Sequence, residues 1–197
     1  MGNVCKKSGI WSLHIAKKRH KTDLFLAAAI GFHFDPPPKV TADLGCGLGS
    51  YCKILNAYGW QCIHGFEGTE DIHKIAVWHS IFNMDLSVPV LHKAFDGAYD
   101  FVLCLEVGEH IPRDREQTFI DNICYFASKD IVLSWAVPGQ YSASGHVNCR
   151  PNDYVISELA KRGFILDNDM TIKLRDSSYF DWFKDTIMVF KKEVENG

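Results

Sequence analysis

Gly45, Gly47 and Gly49 alternate with other residues just after Asp43 in the stretch VTADLGCGLGS, residues 40–50. Glycine admits backbone angles closed to other residues and lets a ligand reach the main chain. A helix opening near Ser50 adds free amides and a partial positive charge, which suit a carboxylate or a phosphate. Several small polar cofactors are held by such loops, and the spacing separates them. A dinucleotide loop spaces its glycines G-x-G-x-x-G, which here would put the third at Ser50. The third glycine comes one residue early, at Gly49. The Gly-Lys-Ser/Thr of a phosphate loop is absent.

More carboxylates follow the next strand-like runs. Glu67 closes WQCIHGFE, twenty residues after Gly47, the separation expected of one strand–helix–strand unit. A carboxylate there can accept from both hydroxyls of a ribose. Nicotinamide binders share that feature, so it identifies a ribose more than a cofactor. Asp85, between Met84 and Leu86, can accept from an adenine amino group while its apolar neighbours flank the ring. The run YDFVLCLEV leads into EVGEHIPRD, which holds Glu106, Glu109 and His110.

These residues need elements to position them. KVTADLG reads as a buried strand and SYCKILNAYG as a helix ended by Gly59. WQCIHGFE is the second strand. EDIHKIAVWHS has Ile72, Ile75, Ala76 and His79 at helical spacing and predicts a second helix. SIFNMD holds a third strand, and YDFVLCLEV is a fourth suited to burial on both faces. REQTFIDNICYFAS predicts a helix, DIVLSWAV a fifth strand and NDYVISELAKRG a helix closed by Gly163. FILDNDMTIKLR and DTIMVFKKE read as two closing strands with no clear long helix between them. Alternation of this kind implies an α/β fold, a mostly parallel sheet with helices on both faces and an antiparallel pair at one edge. Ligands of such sheets bind beyond the carboxyl ends of the strands.

Before all this, HIAKKRHKTDLFLAAAIGF reads as helical until Asp35 and Pro36–Pro38 stop it. Residues 1–38 are therefore expected to be an N-terminal helical extension to a domain at 39–197, the two forming one globular unit. The chain has 197 residues, 47% of them hydrophobic and 23% charged, an ordinary globular balance. A net charge of −3 gives no global attraction to nucleic acid. Seven cysteines form no CxxC pair and no zinc spacing. With no secretory signal, they favour a reducing, cytoplasmic setting. No apolar stretch is long enough to span a bilayer. Lys6 stands where a myristoylation signal wants Ser or Thr, which leaves an ordinary basic start around Gly2 and Cys5.

The string DLGCGLG, followed in order by Glu67, Asp85 and LCLEVGEHIP, resembles the class I S-adenosylmethionine-dependent methyltransferases over roughly residues 39–192. The resemblance implies a Rossmann-like, seven-stranded sheet with an antiparallel last strand. It also implies that Asp43, Gly45, Gly47 and Gly49 line the methionine part of the cofactor. Glu67 would bind the ribose, Asp85 the adenine, with Leu86 beside the ring. Glu106 would face the methionine end or the acceptor. Cys46 is a small space-filler in the loop.

Methyl transfer from a sulfonium is an in-line displacement, and an alcohol acceptor must also lose its proton. The long loop SWAVPGQYSASGHVNCR lies where an acceptor would enter, and such loops are commonly functional. His146 in it is the first choice for general base, with His110 the second. Asn148 and Arg150 would orient a polar acceptor, and Trp135 and Tyr141 would stack on a ring or sugar face. YFDWF at 179–183 could form another wall. The basic run Lys17–Lys21 reads as a solvated helix face, and an N-terminal helix lids the pocket in many members of the family. No metal-ligand set is apparent. LSWAVPGQ…GHVN resembles small methyltransferases that modify glycans, so a sugar hydroxyl is the expected acceptor. A protein or RNA methyltransferase and a non-catalytic module on the same fold are the alternatives. A nicotinamide oxidoreductase is disfavoured by Ser50.

Overall fold

The run Tyr99–Cys104 shows why the sheet forms. Phe101 and Leu103 point to one side, Val102 and Cys104 to the other, and all four are fully buried. A strand apolar on both faces must lie inside a sheet covered twice. The computed structural model describes residues 5, 7–140 and 145–193. Its strands are β1 (Val40–Leu44), β2 (Cys62–Glu67), β3 (Ile81–Asn83), β4 (Tyr99–Cys104), β5 (Ala127–Leu133), β6 (Phe164–Leu166) and β7 (Met188–Lys192). They form one seven-stranded sheet in the order β3-β2-β1-β4-β5-β7-β6. The first five pair in parallel, and β7 runs antiparallel to both β5 and β6.

The helices are α1 (Leu13–Arg19), α2 (Leu24–His33), α3 (Ser50–Ala57), α4 (Glu116–Phe126), α5 (Asn152–Ala160), α6 (Asn168–Ser177) and α7 (Asp181–Thr186). Ile30 of α2, Leu55 of α3, Leu174 of α6 and Phe183 of α7 share one core with Trp60, Phe101 and Leu103. Phe119 and Ile123 of α4 and Val155 and Leu159 of α5 share the other with Val102 and Cys104. The strand order reverses between β1 and β4, and the crevice beyond their carboxyl ends is where ligands of such sheets bind. Among the described residues, no helix is long and apolar enough to cross a membrane.

The structure departs from the sequence reading in three segments. Residues 70–80 form only a 3-10 turn at Ile72–Lys74 instead of a helix. Val77 N–H donates to Leu48 O at 2.8 Å and Trp78 Nε1 to Ile63 O at 3.2 Å, so the segment is tied to the glycine loop and β2. Those bonds outweigh a helical stripe with weak intrinsic propensity. FILDNDMTIKLR is a strand only over Phe164–Leu166. Asp167 then accepts from Met170 N–H at 3.0 Å and starts α6, so two helices separate the closing strands. Finally, the N-terminal helical stretch is broken into α1 and α2 at His20–Asp23.

Asp23 explains that break and closes the molecule. One carboxylate oxygen accepts from Phe25 and Leu26 N–H, both at 3.0 Å, capping α2. The other accepts from Tyr179 and Phe180 N–H, both at 2.8 Å. Its own N–H donates to Tyr51 Oη at 3.1 Å. One buried side chain thus joins the N-terminal extension to the aromatic segment before α7. Asp23→Ala strands four donors and is expected to cost about 2–4 kcal/mol in chemical denaturation. A loss below about 0.5 kcal/mol, the level of an ordinary surface change, would contradict this role.

Candidate active site

A cavity of about 1260 Å³ opens beyond the carboxyl ends of β1, β2 and β4. Its floor is the loop after β1. Gly45 and Cys46 donate their N–H groups to Phe66 O at 2.8 and 3.1 Å, which folds the loop back over β2. Gly47 N–H donates to Glu67 Oε2 at 3.0 Å, and Thr69 N–H donates to Glu67 Oε1 at 2.8 Å. Gly45 and Gly47 have φ of 75° and 56°, the left-handed region that favours glycine. A methyl group at Gly45 would stand 2.4 Å from the Val107 side chain, and one at Gly47 2.3 Å from the His20 ring.

Six of the expected cofactor residues, Asp43, Gly45, Glu67, Asp85, Leu86 and Glu106, face this cavity. Gly47 and Gly49 shape the loop instead: His20 covers the first, and the second caps α3 against Trp78. Asp43 is buried and accepts a weak bond from the Cys52 thiol at 3.3 Å. Burial pushes its pKa up to about 7. Asp85, which lines the cavity, accepts from Ser87 N–H at Oδ1 at 2.8 Å, which leaves its second oxygen for another donor.

Glu106 takes φ of 57°, rare for a residue with a side chain. Ser134, just beyond β5, holds it there. The Ser134 hydroxyl accepts from Glu106 N–H at 2.8 Å and donates to Glu106 Oε1 at 2.9 Å. Burial raises the Glu106 carboxyl to about 7. Glu109 is fully buried against the Glu106 carboxyl, and no N–H or cationic donor meets either of its oxygens in good geometry. Burial, then the charge of Glu106, pushes its pKa well above the carboxylate range.

His110 is buried, and its Nδ1 lies 3.1 Å from Gly145 O. A carbonyl only accepts, so Nδ1 carries the proton and Nε2 keeps its lone pair. Burial pushes its pKa down to about 4. His146 comes from the loop after β5, half-buried, its ring centroid 5.0 Å from that of His110. Burial lowers its pKa as well. Both rings are therefore neutral near pH 7.

Three residues expected on the acceptor surface lie elsewhere. Trp135 is fully buried, packs against Gly108 and Phe119, and donates its indole N–H to Asn148 O at 2.6 Å. Asn148, also fully buried, donates to Glu116 Oε2 at 2.8 Å. Arg150 forks onto both oxygens of Glu116 and stacks over Tyr154, 4.6 Å from its ring centre. None of the three lines the cavity. A carboxylate only 3% exposed needs such partners more than a ligand does. Together they brace the loop that carries His146, and Val147 and Asn148 N–H fasten it to Glu109 O at 2.8 and 3.0 Å. Tyr141 lies outside the described residues.

Sequence reasoning also missed walls of the cavity. Ser8, Gly9 and Ile10 pass across it, Gly9 in backbone contact with His110. No local signal marks that segment. Trp11 sits between the His20 and His110 rings, 5.1 Å from each. The YFDWF segment does form a wall, with Phe180 and Trp182 stacked at 4.3 Å. Exposed Lys18, Arg19 and Lys21 edge the mouth, so the basic run is solvated and also borders the site.

Residues 15–124 match the family model described as a methyltransferase domain. The ubiquinone biosynthesis O-methyltransferase of Burkholderia thailandensis is 30% identical over 89 residues, 42% of this chain and 38% of that protein. The match thus spans about two fifths of the length of that curated relative. Magnesium protoporphyrin IX methyltransferase from Synechocystis PCC 6803, solved with bound SAM, superposes with a TM-score of 0.61 at 17% identity, over 92% of this chain and 79% of that one. A TehB-like SAM-dependent methyltransferase from Corynebacterium glutamicum gives 0.62 at 16% identity, over 92% and 93%. The two structures share the fold described above.

The placement of Arg150 has a direct consequence. Arg150→Met leaves Glu116 buried without its guanidinium and is expected to cost about 2–4 kcal/mol in denaturant titration, with cofactor affinity unchanged. Unchanged stability with a raised KM for the acceptor would return Arg150 to the binding surface.

Proposed function

Because the chain belongs to the methyltransferase-domain family, within the class I S-adenosylmethionine-dependent methyltransferases, we propose that it methylates an oxygen of a small polar acceptor, such as a sugar or glycan hydroxyl. The observation that carries this reading is one cavity that joins the Gly45–Glu67 cradle to the neutral pair His110 and His146. The printed name of the Burkholderia relative, an O-methyltransferase, supports oxygen as the acceptor atom.

S-adenosylmethionine, the cofactor of this class, supplies an electrophilic methyl group on a sulfonium. The residues present fit it. Asp43, Glu67 and Glu106 face the cavity with no ion-pair partner among the described residues, as a cationic ligand requires. Glu67, fixed by two backbone donors, keeps lone pairs for ribose hydroxyls. Asp85 has a free oxygen for an adenine amino group, and Leu86 offers an apolar flank. At the other end, His146 draws off the acceptor proton while His110, locked by Gly145, shapes the wall. Phe180 and Trp182 present ring faces suited to a sugar. The N-terminal extension acts as the lid through Trp11 and His20, and excludes water. All seven cysteines are free, which supports a reducing, cytosol-like setting.

The basic rim at Lys18, Arg19 and Lys21 favours a second reading, an acidic polymer such as RNA or protein as acceptor. A screen with labelled methyl donor separates the two. Carbohydrates and small hydroxylated rings are expected to take label, with turnover lost by about 100-fold in His146→Ala. Label on polymers alone, with steep salt dependence, would replace the small-molecule reading.

Asp43 gives the cofactor step a pH signature. It faces the thiols of Cys46, Cys52 and Cys104, the Tyr51 hydroxyl and the Glu67 carboxylate. With its pKa raised to about 7, it is neutral below that pH and charged above it. The sulfonium cofactor carries one more positive charge than its thioether product. The ratio of their affinities is therefore expected to rise by up to about tenfold between pH 6 and 8, and to rise less steeply in Asp43→Asn, where Glu106 still titrates near 7. A wild-type ratio independent of pH in calorimetry would rule Asp43 out as the charge partner.

A further inference from the structure

Glu109, His110 and His146 each offer one ligand atom, and these atoms all lie within 4.8 Å of one another. All three line the cavity. Glu109 is the anomaly. Its carboxyl is fully buried against that of Glu106, and no N–H or cationic donor meets either oxygen in good geometry. A carboxylate in that state is costly unless something positive joins it. No Lys or Arg does so among the described residues.

The surroundings are those of a built ligand set. The His110 Nδ1 proton is committed to Gly145 O, which orients the ring and leaves Nε2 as a donor of electrons. The loop of His146 is fastened by two N–H bonds to the carbonyl of Glu109 itself, so ligands from two elements are held as one unit. The Glu116 brace fixes that loop from behind. Glu106, bonded to Ser134, brings a second carboxylate to the same part of the cavity.

We propose that Glu109, His110 and His146 form a divalent transition-metal site, with open coordination positions facing the cavity. Two imidazoles with carboxylate oxygens suit Mn²⁺, Fe²⁺, Co²⁺ or Zn²⁺ better than Mg²⁺ or Ca²⁺, which prefer oxygen throughout. Its role rests on the methyl-transfer reading above, although its existence does not. The cation takes the acceptor hydroxyl oxygen and acidifies it. The O–H bond breaks and its proton leaves to solvent. The oxygen pair forms the new O–CH₃ bond as the C–S bond breaks, and its electrons return to sulfur as a thioether. No redox change occurs. His146, the base of the metal-free site, is a ligand in the loaded one.

Mn²⁺ titration of chelator-treated protein tests this, with the free-ion EPR signal as readout. Wild type is expected to remove one equivalent of Mn²⁺ from the signal and to gain thermal stability. Glu109→Gln and His146→Ala are each expected to weaken binding at least about tenfold and to lose that gain. Glu109→Gln keeps the size and shape of the buried side chain and adds no charge, so its fold is expected to persist. No uptake by folded wild type at millimolar Mn²⁺, or equal uptake by folded variants, would overturn the site. If methylation is detected and a chelator leaves its rate unchanged, the role in acceptor activation is overturned while the site stands. Mn²⁺ uptake with no methylation of any acceptor would instead count against the methyl-transfer reading.

Discussion

Four carboxylates, Asp43, Glu67, Glu106 and Glu109, gather at the carboxyl ends of three neighbouring strands with no cationic side chain in ion-pair contact among the described residues. The rest of the site follows from that constraint. Burial lifts Asp43 and Glu106 to about 7 and Glu109 further, so these groups carry protons that a cationic ligand would displace. A sulfonium at the glycine loop and a divalent cation beside the histidines would each answer part of the same demand. His110 and His146 stand beside them, neutral because burial lowers both pKa values.

Holding such a cluster in place needs anchors far from it. The strand order puts β1 between β2 and β4, so that Asp43, Glu67 and Glu106 converge although the chain separates them. Ser134, from the end of β5, secures the left-handed turn at Glu106. Glu116, from the start of α4, gathers Asn148, Arg150 and Tyr154, and so fixes the loop that delivers His146. Asp23 ties the start of α2 to the aromatic wall. Each anchor is an acidic or hydroxyl side chain whose oxygens are taken up by the protein. The carboxylates of the cavity keep acceptor capacity in reserve, and that difference separates scaffold from site.

Much of this was legible in the sequence where the signal is local. The strand–glycine–helix order, Glu67 at the end of β2 and the apolar run of β4 follow from backbone rules acting over a few residues. Legibility failed where distant partners decide. Asn148 and Arg150 look alike in sequence whether they face an acceptor or a buried carboxylate from another helix. The stripe at Ile72 and Ile75 promised a helix, but hydrogen bonds from Val77 and Trp78 to the glycine loop and β2 prevail. TIKL in α6 alternates like a strand, and its Asp167 cap is the only local clue to the helix. Glu109 and His110 showed no metal spacing because their third partner arrives from a loop one strand and one helix later.

The central claim is that this acidic cavity is a cation-seeking cofactor site. Isothermal calorimetry of S-adenosylmethionine with the folded protein near pH 8 tests it most directly. Saturable binding of one molecule per chain, tighter than that of adenosine alone, is expected. No measurable binding at millimolar cofactor, with circular dichroism showing an intact fold, would contradict it.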